Sequence, residues 1–163
     1  MRNIVFVAIT CAISGTPSLA AEPAKAGEDN YTAAYVVTFS KPAKFGERTV
    51  TLVEFGGVAT NEKGSGIFHN VGIRCTGVRE AVATSFYTRG TCADTDQDGD
   101  QIFSTYEANG GEGKSVVGVH QFVGGTGKYT GMTGKADYTV QYIKSADGPG
   151  MFLAKHKASW MLP

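Results

Sequence analysis

The chain has 163 residues, with 15 basic and 15 acidic side chains, 22 glycines and 3 cysteines. This balance, with no basic run or arginine-rich face, argues against a nucleic-acid or anionic-membrane binder. The length is that of one ordinary domain, enough to bury a real core.

The first twenty residues read as an export signal. Arg2 supplies a positive start, Ile4 to Ile13 is apolar apart from Thr10, and Pro17 precedes the small-x-small site Ser18-Leu19-Ala20. The apolar stretch is shorter than the roughly 20 residues needed to span a bilayer. The expectation is a signal peptide at residues 1–20, no membrane insertion, and an exported product, periplasmic or secreted. Cys11 would leave with the signal. That leaves Cys75 and Cys92, which in an oxidising compartment are expected to form a disulfide.

Residues 21–30 are polar and read as a flexible leader, with a β-barrel domain over 31–163. No amphipathic helix is legible there. Short runs rich in Val, Thr, Ile, Phe and Tyr predict strands at Tyr31–Ser40, Thr49–Asn61, Ile67–Thr76 and Ala81–Ala93. Four more are predicted at Gln101–Ala108, Ser115–Val123, Ala136–Ile143 and Met151–Trp160. Turn chemistry separates several of them: Lys63-Gly64-Ser65-Gly66, Asp98-Gly99, Asn109-Gly110-Gly111, Gly124-Gly125 and Asp147-Gly148-Pro149-Gly150. The fold expected is all-β, a single eight-stranded antiparallel barrel, with a two-sheet sandwich as the alternative.

Alternation assigns faces in the last two predicted strands. Ala136, Tyr138, Val140 and Tyr142 share one side of the seventh, and Phe152, Ala154, His156, Ala158 and Trp160 share one side of the eighth. Small residues mixed with rings either pack a narrow lumen or leave a pocket. The candidate lining of a ligand cavity is Tyr138, Tyr142, Phe152, His156 and Trp160.

The acidic run Asp94-Thr95-Asp96-Gln97-Asp98-Gly99-Asp100 reproduces the first half of an EF-hand loop. It fails in the second half, where Gln101 and Thr105 stand in place of an aliphatic residue and a bidentate Glu. Two readings stay open: a hairpin holding Ca²⁺ through Asp94, Asp96, Asp98 and Asp100, or a solvated Asp-Gly turn. His69, His120 and His156 lack metal-site spacing and read as core imidazoles unless the fold gathers them. Glu54 and Glu107 could form a paired-carboxylate acid–base couple, with solvated strand positions as the plain reading. No GxSxG elbow is present.

The run Gly124-Gly125-Thr126-Gly127-Lys128-Tyr129-Thr130-Gly131-Met132-Thr133-Gly134 lacks phosphate-loop spacing. Its glycines suit a strand-to-strand turn, with Tyr129 and Met132 tucked onto the barrel end. This run resembles the glycine-and-aromatic signature of dirigent and allene oxide cyclase barrels. With Cys92 and the DTDQDGDQIF run, the chain is similar to bacterial exported proteins of that barrel group, over roughly residues 75 to 143. The resemblance implies an eight-stranded antiparallel barrel with a lumen for an apolar molecule. Plant members of the group bind oxylipins or guide phenolic coupling, often as dimers or trimers. No active-site residue can be carried over, and the signal, the disulfide and the acidic turn depart from the plant pattern. The function expected is a non-enzymatic binder of a small apolar molecule. The alternatives are a barrel isomerase or cyclase acting on a lipid-derived or phenolic substrate, and an interaction protein with a solid barrel.

Overall fold

The computed structural model describes residues 25–144 and 150–163. The expected signal peptide lies outside the described residues. Eight strands follow in order: β1 (Ala26–Phe45), β2 (Arg48–Asn61), β3 (Val71–Val82), β4 (Ser85–Thr95), β5 (Gln101–Gly111), β6 (Lys114–Gly125), β7 (Thr133–Ile143) and β8 (Met151–Met161). Every neighbouring pair is antiparallel, and β8 returns to β1 from Ala26↔Met161 to Val36↔Met151, closing the barrel. Closure removes the sandwich alternative. It also protects the strand edges that an open sheet of this size would expose.

Four expectations are corrected. From Ala26 onward the supposed leader is strand, because Asp29, Tyr31, Ala33 and Tyr35 continue one buried alternation along β1. Ile67 to Asn70 is loop rather than strand. Phe68 and Asn70 there have φ of 64° and 55°, and Phe68 turns inward and is fully buried. The run predicted as one strand from Ala81 to Ala93 is split by a two-residue turn at Ala83-Thr84, with Ala83 at φ 50°. That turn carries no Gly, Pro, Asn or Asp, so the usual signal is missing. Asn109-Gly110-Gly111 belongs to β5, and the turn falls at Glu112-Gly113. Gly110 marks a close approach instead: a Cβ there would sit 2.4 Å from the Phe86 ring.

Cys75 and Cys92 face each other in the β3–β4 register, both buried, and are joined by a disulfide. The bridge closes a segment with a sequence separation of 17, which the chain-entropy account values at about 3 kcal/mol. Replacing both cysteines by alanine is therefore expected to lower Tm by roughly 10 °C. Thermal unfolding of the two proteins side by side checks this, and coincident curves would remove the bridge from the stability account.

Among the described residues β1 pairs only with β2 beyond Val37, so the edge Thr38–Phe45 has no second partner strand there. Lys41, Pro42 and Lys44 lie along that edge, a composition that resists pairing with another strand.

Candidate ligand cavity

The two ends of the lumen differ. At one end Phe68 is the plug. Its ring stacks on Tyr31 at 4.4 Å and lies 5.4 Å from Phe122. Tyr31 stacks in turn on His156 at 4.2 Å, almost parallel. Beside this column Asp29, only 7% exposed, accepts hydrogen bonds from Trp160 Nε1 (2.7 Å), Asn61 Nδ2 (3.0 Å) and Lys63 Nζ (2.8 Å). Burial works to raise the Asp29 pKa, but these three donors and the Lys63 charge hold it below the usual carboxylate range.

Above His156 the lumen opens into a cavity of about 210 Å³. Tyr35 and Phe152 stack at 4.8 Å, and Phe55 stands edge-on to both at 5.5 Å. Tyr106, Tyr138 and the paired imidazoles of His120 and His156 complete the inner surface. Arg79, Phe86, Val53 and Met151 are among the residues around the mouth.

The open space has a local cause. Gly77 and Gly90 sit opposite each other, and a Cβ on either would lie 2.3–2.7 Å from Tyr106. A Cβ on Gly118 would lie 2.4 Å from Tyr138 Cζ. Each ring lies flat on the backbone of a neighbouring strand instead of crossing the barrel axis. An interior that eight strands could have filled with side chains is left partly open.

The inner end of the cavity is polar. His120 Nδ1 lies 3.0 Å from Ser104 Oγ. Among the described residues, neither nitrogen of His156, a residue 2% exposed, nor the Tyr106 hydroxyl has a partner in good hydrogen-bond geometry; the backbone of Tyr31 and Ala154 and the Thr88 hydroxyl are their nearest polar neighbours. Burial depresses the His120 pKa to about 4. Burial, reinforced by His120, depresses that of His156 to about 3. Both rings are neutral at pH 7. They offer donors and acceptors to a guest, but they are weak bases for proton abstraction.

The residues expected to line the site divide. Tyr138, Tyr142, Phe152 and His156 border the cavity, with Tyr142 at the rim and 56% exposed. Trp160 does not. It belongs to the closed end, where its indole serves Asp29. Sequence reasoning missed Tyr35, Phe55, Tyr106 and Arg79. Counting alternate residues onward from Cys75 gives Gly77 and Arg79 as inward positions, so the signal existed for Arg79. The misplaced β3–β4 turn hid it.

The four aspartates expected to surround a cation do not converge. Asp94 faces the barrel interior, 7% exposed, and burial pushes its pKa up to about 7. Asp96 Oδ1 accepts the backbone N–H groups of Asp98 and Asp100, and its Oδ2 accepts the Tyr129 hydroxyl at 3.0 Å. The Lys128 ammonium binds Asp96 at 2.6 Å and also pairs with Asp98, while its backbone N–H reaches Asp100. The charge relieving this acidic loop is thus a lysine from the glycine-rich turn. The two motifs are halves of one contact. Among the described residues no group of three or more His, Cys, Asp or Glu is arranged to hold a metal ion. His69 stays in the β2–β3 loop, apart from the other two histidines. Glu54 and Glu107 both face outward, beside Arg74 and Tyr87 respectively.

The chain is a closed eight-stranded antiparallel barrel, plugged at one end and hollow at the other, and its fold is dirigent-like. Among solved structures the chain is similar to a pterocarpan synthase dirigent protein, with a TM-score of 0.56 and 11% identity, covering 97% of this chain and 98% of that one. At that identity the likeness is one of fold. It extends over nearly the whole barrel, beyond the residues that carried the sequence resemblance. No protein-family model and no curated protein matches the sequence.

Proposed function

We propose that the protein is a non-enzymatic binder that holds one small, largely apolar molecule in the lumen, and that it works in an oxidising compartment after export. The cavity carries this reading: about 210 Å³, ringed by Tyr35, Phe55, Tyr106, Tyr138 and Phe152, with unpartnered polar atoms at its inner end. An apolar cavity of about 150 Å³ is enough for a benzene-sized guest, so this one suits a bicyclic or substituted single ring. Flat rings on several sides favour a flat guest. A barrel isomerase or cyclase finds less support, because the lumen imidazoles are held neutral and weakly basic. A solid interaction barrel is disfavoured by the hollow end. The disulfide supports export, since such bridges persist in oxidising compartments.

Titration with 2-naphthamide, a neutral bicyclic compound, tests the reading by calorimetry or by quenching of naphthalene fluorescence. Saturable one-to-one binding is expected. Ala108→Leu, which adds bulk to the cavity wall, should weaken it at least tenfold. A folded wild-type chain that takes up no neutral ring compound at millimolar concentration would overturn the proposal.

A further inference from the structure

Arg79 has no role in the reading above. It lies on the inward face of β3, between Thr51 of β2 and Thr88 of β4 in register, and borders the cavity mouth. Its guanidinium carbon sits 3.8 Å above the centroid of the Phe86 ring. Stacking fixes the plane of a guanidinium while leaving its N–H edges free, the geometry suited to a carboxylate fork. Among the described residues no carboxylate lies within ion-pair distance of it. The glutamates on nearby strands face outward and are engaged there: Glu80 with Arg48 at 3.0 Å, Glu54 near Arg74 at 3.8 Å, and Glu107 with Tyr87. Asp94 of β4 faces inward, but in register it lies opposite Ile73, far along β3 from Arg79. A half-buried cation thus stands over an apolar, ring-lined space, its donors unspent among the described residues.

We propose that the guest is an organic anion: a ring-bodied carboxylate whose apolar part lies among Tyr35, Phe55 and Phe152 while its carboxylate pairs with Arg79 at the mouth. The inference rests on the lumen-binding reading and adds the guest's charge and its orientation, head outward. A neutral guest of the same shape would gain the ring contacts but leave the guanidinium without a partner. A carboxylate buried deeper would meet neutral imidazoles and phenols and approach the inward-facing carboxyl of Asp94. A charge-assisted pair at the mouth exceeds a neutral hydrogen bond there, and part of it is screened by salt.

The experiment compares 2-naphthoate with 2-naphthamide, equal in shape and different in charge, on wild-type protein, Arg79→Gln and Arg79→Lys at low and moderate salt. The wild type is expected to bind naphthoate at least tenfold more tightly than naphthamide, with the preference falling as salt rises. Arg79→Gln should erase the preference while leaving naphthamide affinity within about twofold. Arg79→Lys should retain part of it, because the charge remains and the planar fork does not. Equal affinities in the wild type, or a preference that survives Arg79→Gln, would overturn the anion inference and leave the lumen reading standing. Failure of both compounds to bind folded protein would overturn both.

Discussion

Replacing Asp29 by alanine is expected to destabilise the barrel by about 3–5 kcal/mol, the range for breaking a buried, charged hydrogen-bonded group. The loss has several sources. Trp160 Nε1 and Asn61 Nδ2 each lose an acceptor in a buried setting, and Lys63 Nζ loses its ion-pair partner. Lys63 is 63% exposed at its side chain, so water compensates it and most of the penalty falls on Trp160 and Asn61. Asp29→Asn, which keeps an acceptor oxygen but loses the charge, should fall between. Urea unfolding of the three proteins at pH 7 measures the differences. An Asp29→Ala variant within 1 kcal/mol of wild type would mean the closed end is held by packing around Phe68 alone. The same carboxyl adds an acid limb. Because its folded pKa is depressed, its contribution persists above the usual carboxylate value of 3.8 and is lost as pH falls through the lower folded value.

Acidification from pH 7 to pH 4 brings two larger effects of opposite sign. His120 and His156 stay neutral in the folded barrel down to about pH 4 and pH 3, while their unfolded counterparts take up protons below about pH 6.5. Their stabilisation is complete above pH 6.5 and drains away as pH falls, by roughly 3 kcal/mol each at pH 4. Asp94 runs the other way. Its folded pKa of about 7 lies above the unfolded 3.8, so its contribution is full below 3.8 and is lost as pH rises through 7. On acidification it returns about 3 kcal/mol. The wild type should therefore lose only about 3 kcal/mol net between pH 7 and pH 4. Asp94→Asn should remove the compensation and roughly double that loss. His156→Phe, which preserves the stack on Tyr31, should nearly flatten the profile. Parallel pH profiles for wild type and Asp94→Asn would show that Asp94 does not titrate between the two states as its burial requires.

Strand number, barrel closure and the disulfide were legible because each rests on a local signal: alternation, turn residues, or the two cysteines that follow a segment reading as an export signal. Phe152, His156 and Tyr138 were legible for the same reason, since period-two reading gives a face without knowing what lies opposite. The rest depended on partners distant in sequence. Trp160 has the right face but the wrong end of the barrel, and only the position of Asp29 on β1 decides that. Asp94 has the acidic company of a cation loop, yet it is the last inward residue of β4 before the turn. Lys128, as the counter-charge for Asp96 and Asp98, belongs to a motif 30 residues away. The glycines that open the lumen look like ordinary strand breakers until Tyr106 and Tyr138 are seen lying on them.

The seam between β1 and β8 has a kinetic consequence. The Asp29–Trp160 bond joins residues 131 apart, and the strands carrying them are the first and last of the barrel. Pairings this distant put the chain among slow, high-contact-order folders. Until Met151–Met161 docks, β7 and the early part of β1 remain unpaired edges, the species most open to mispairing with another chain. Plug, hollow and sealed edges are acquired together, in the step that zips the seam.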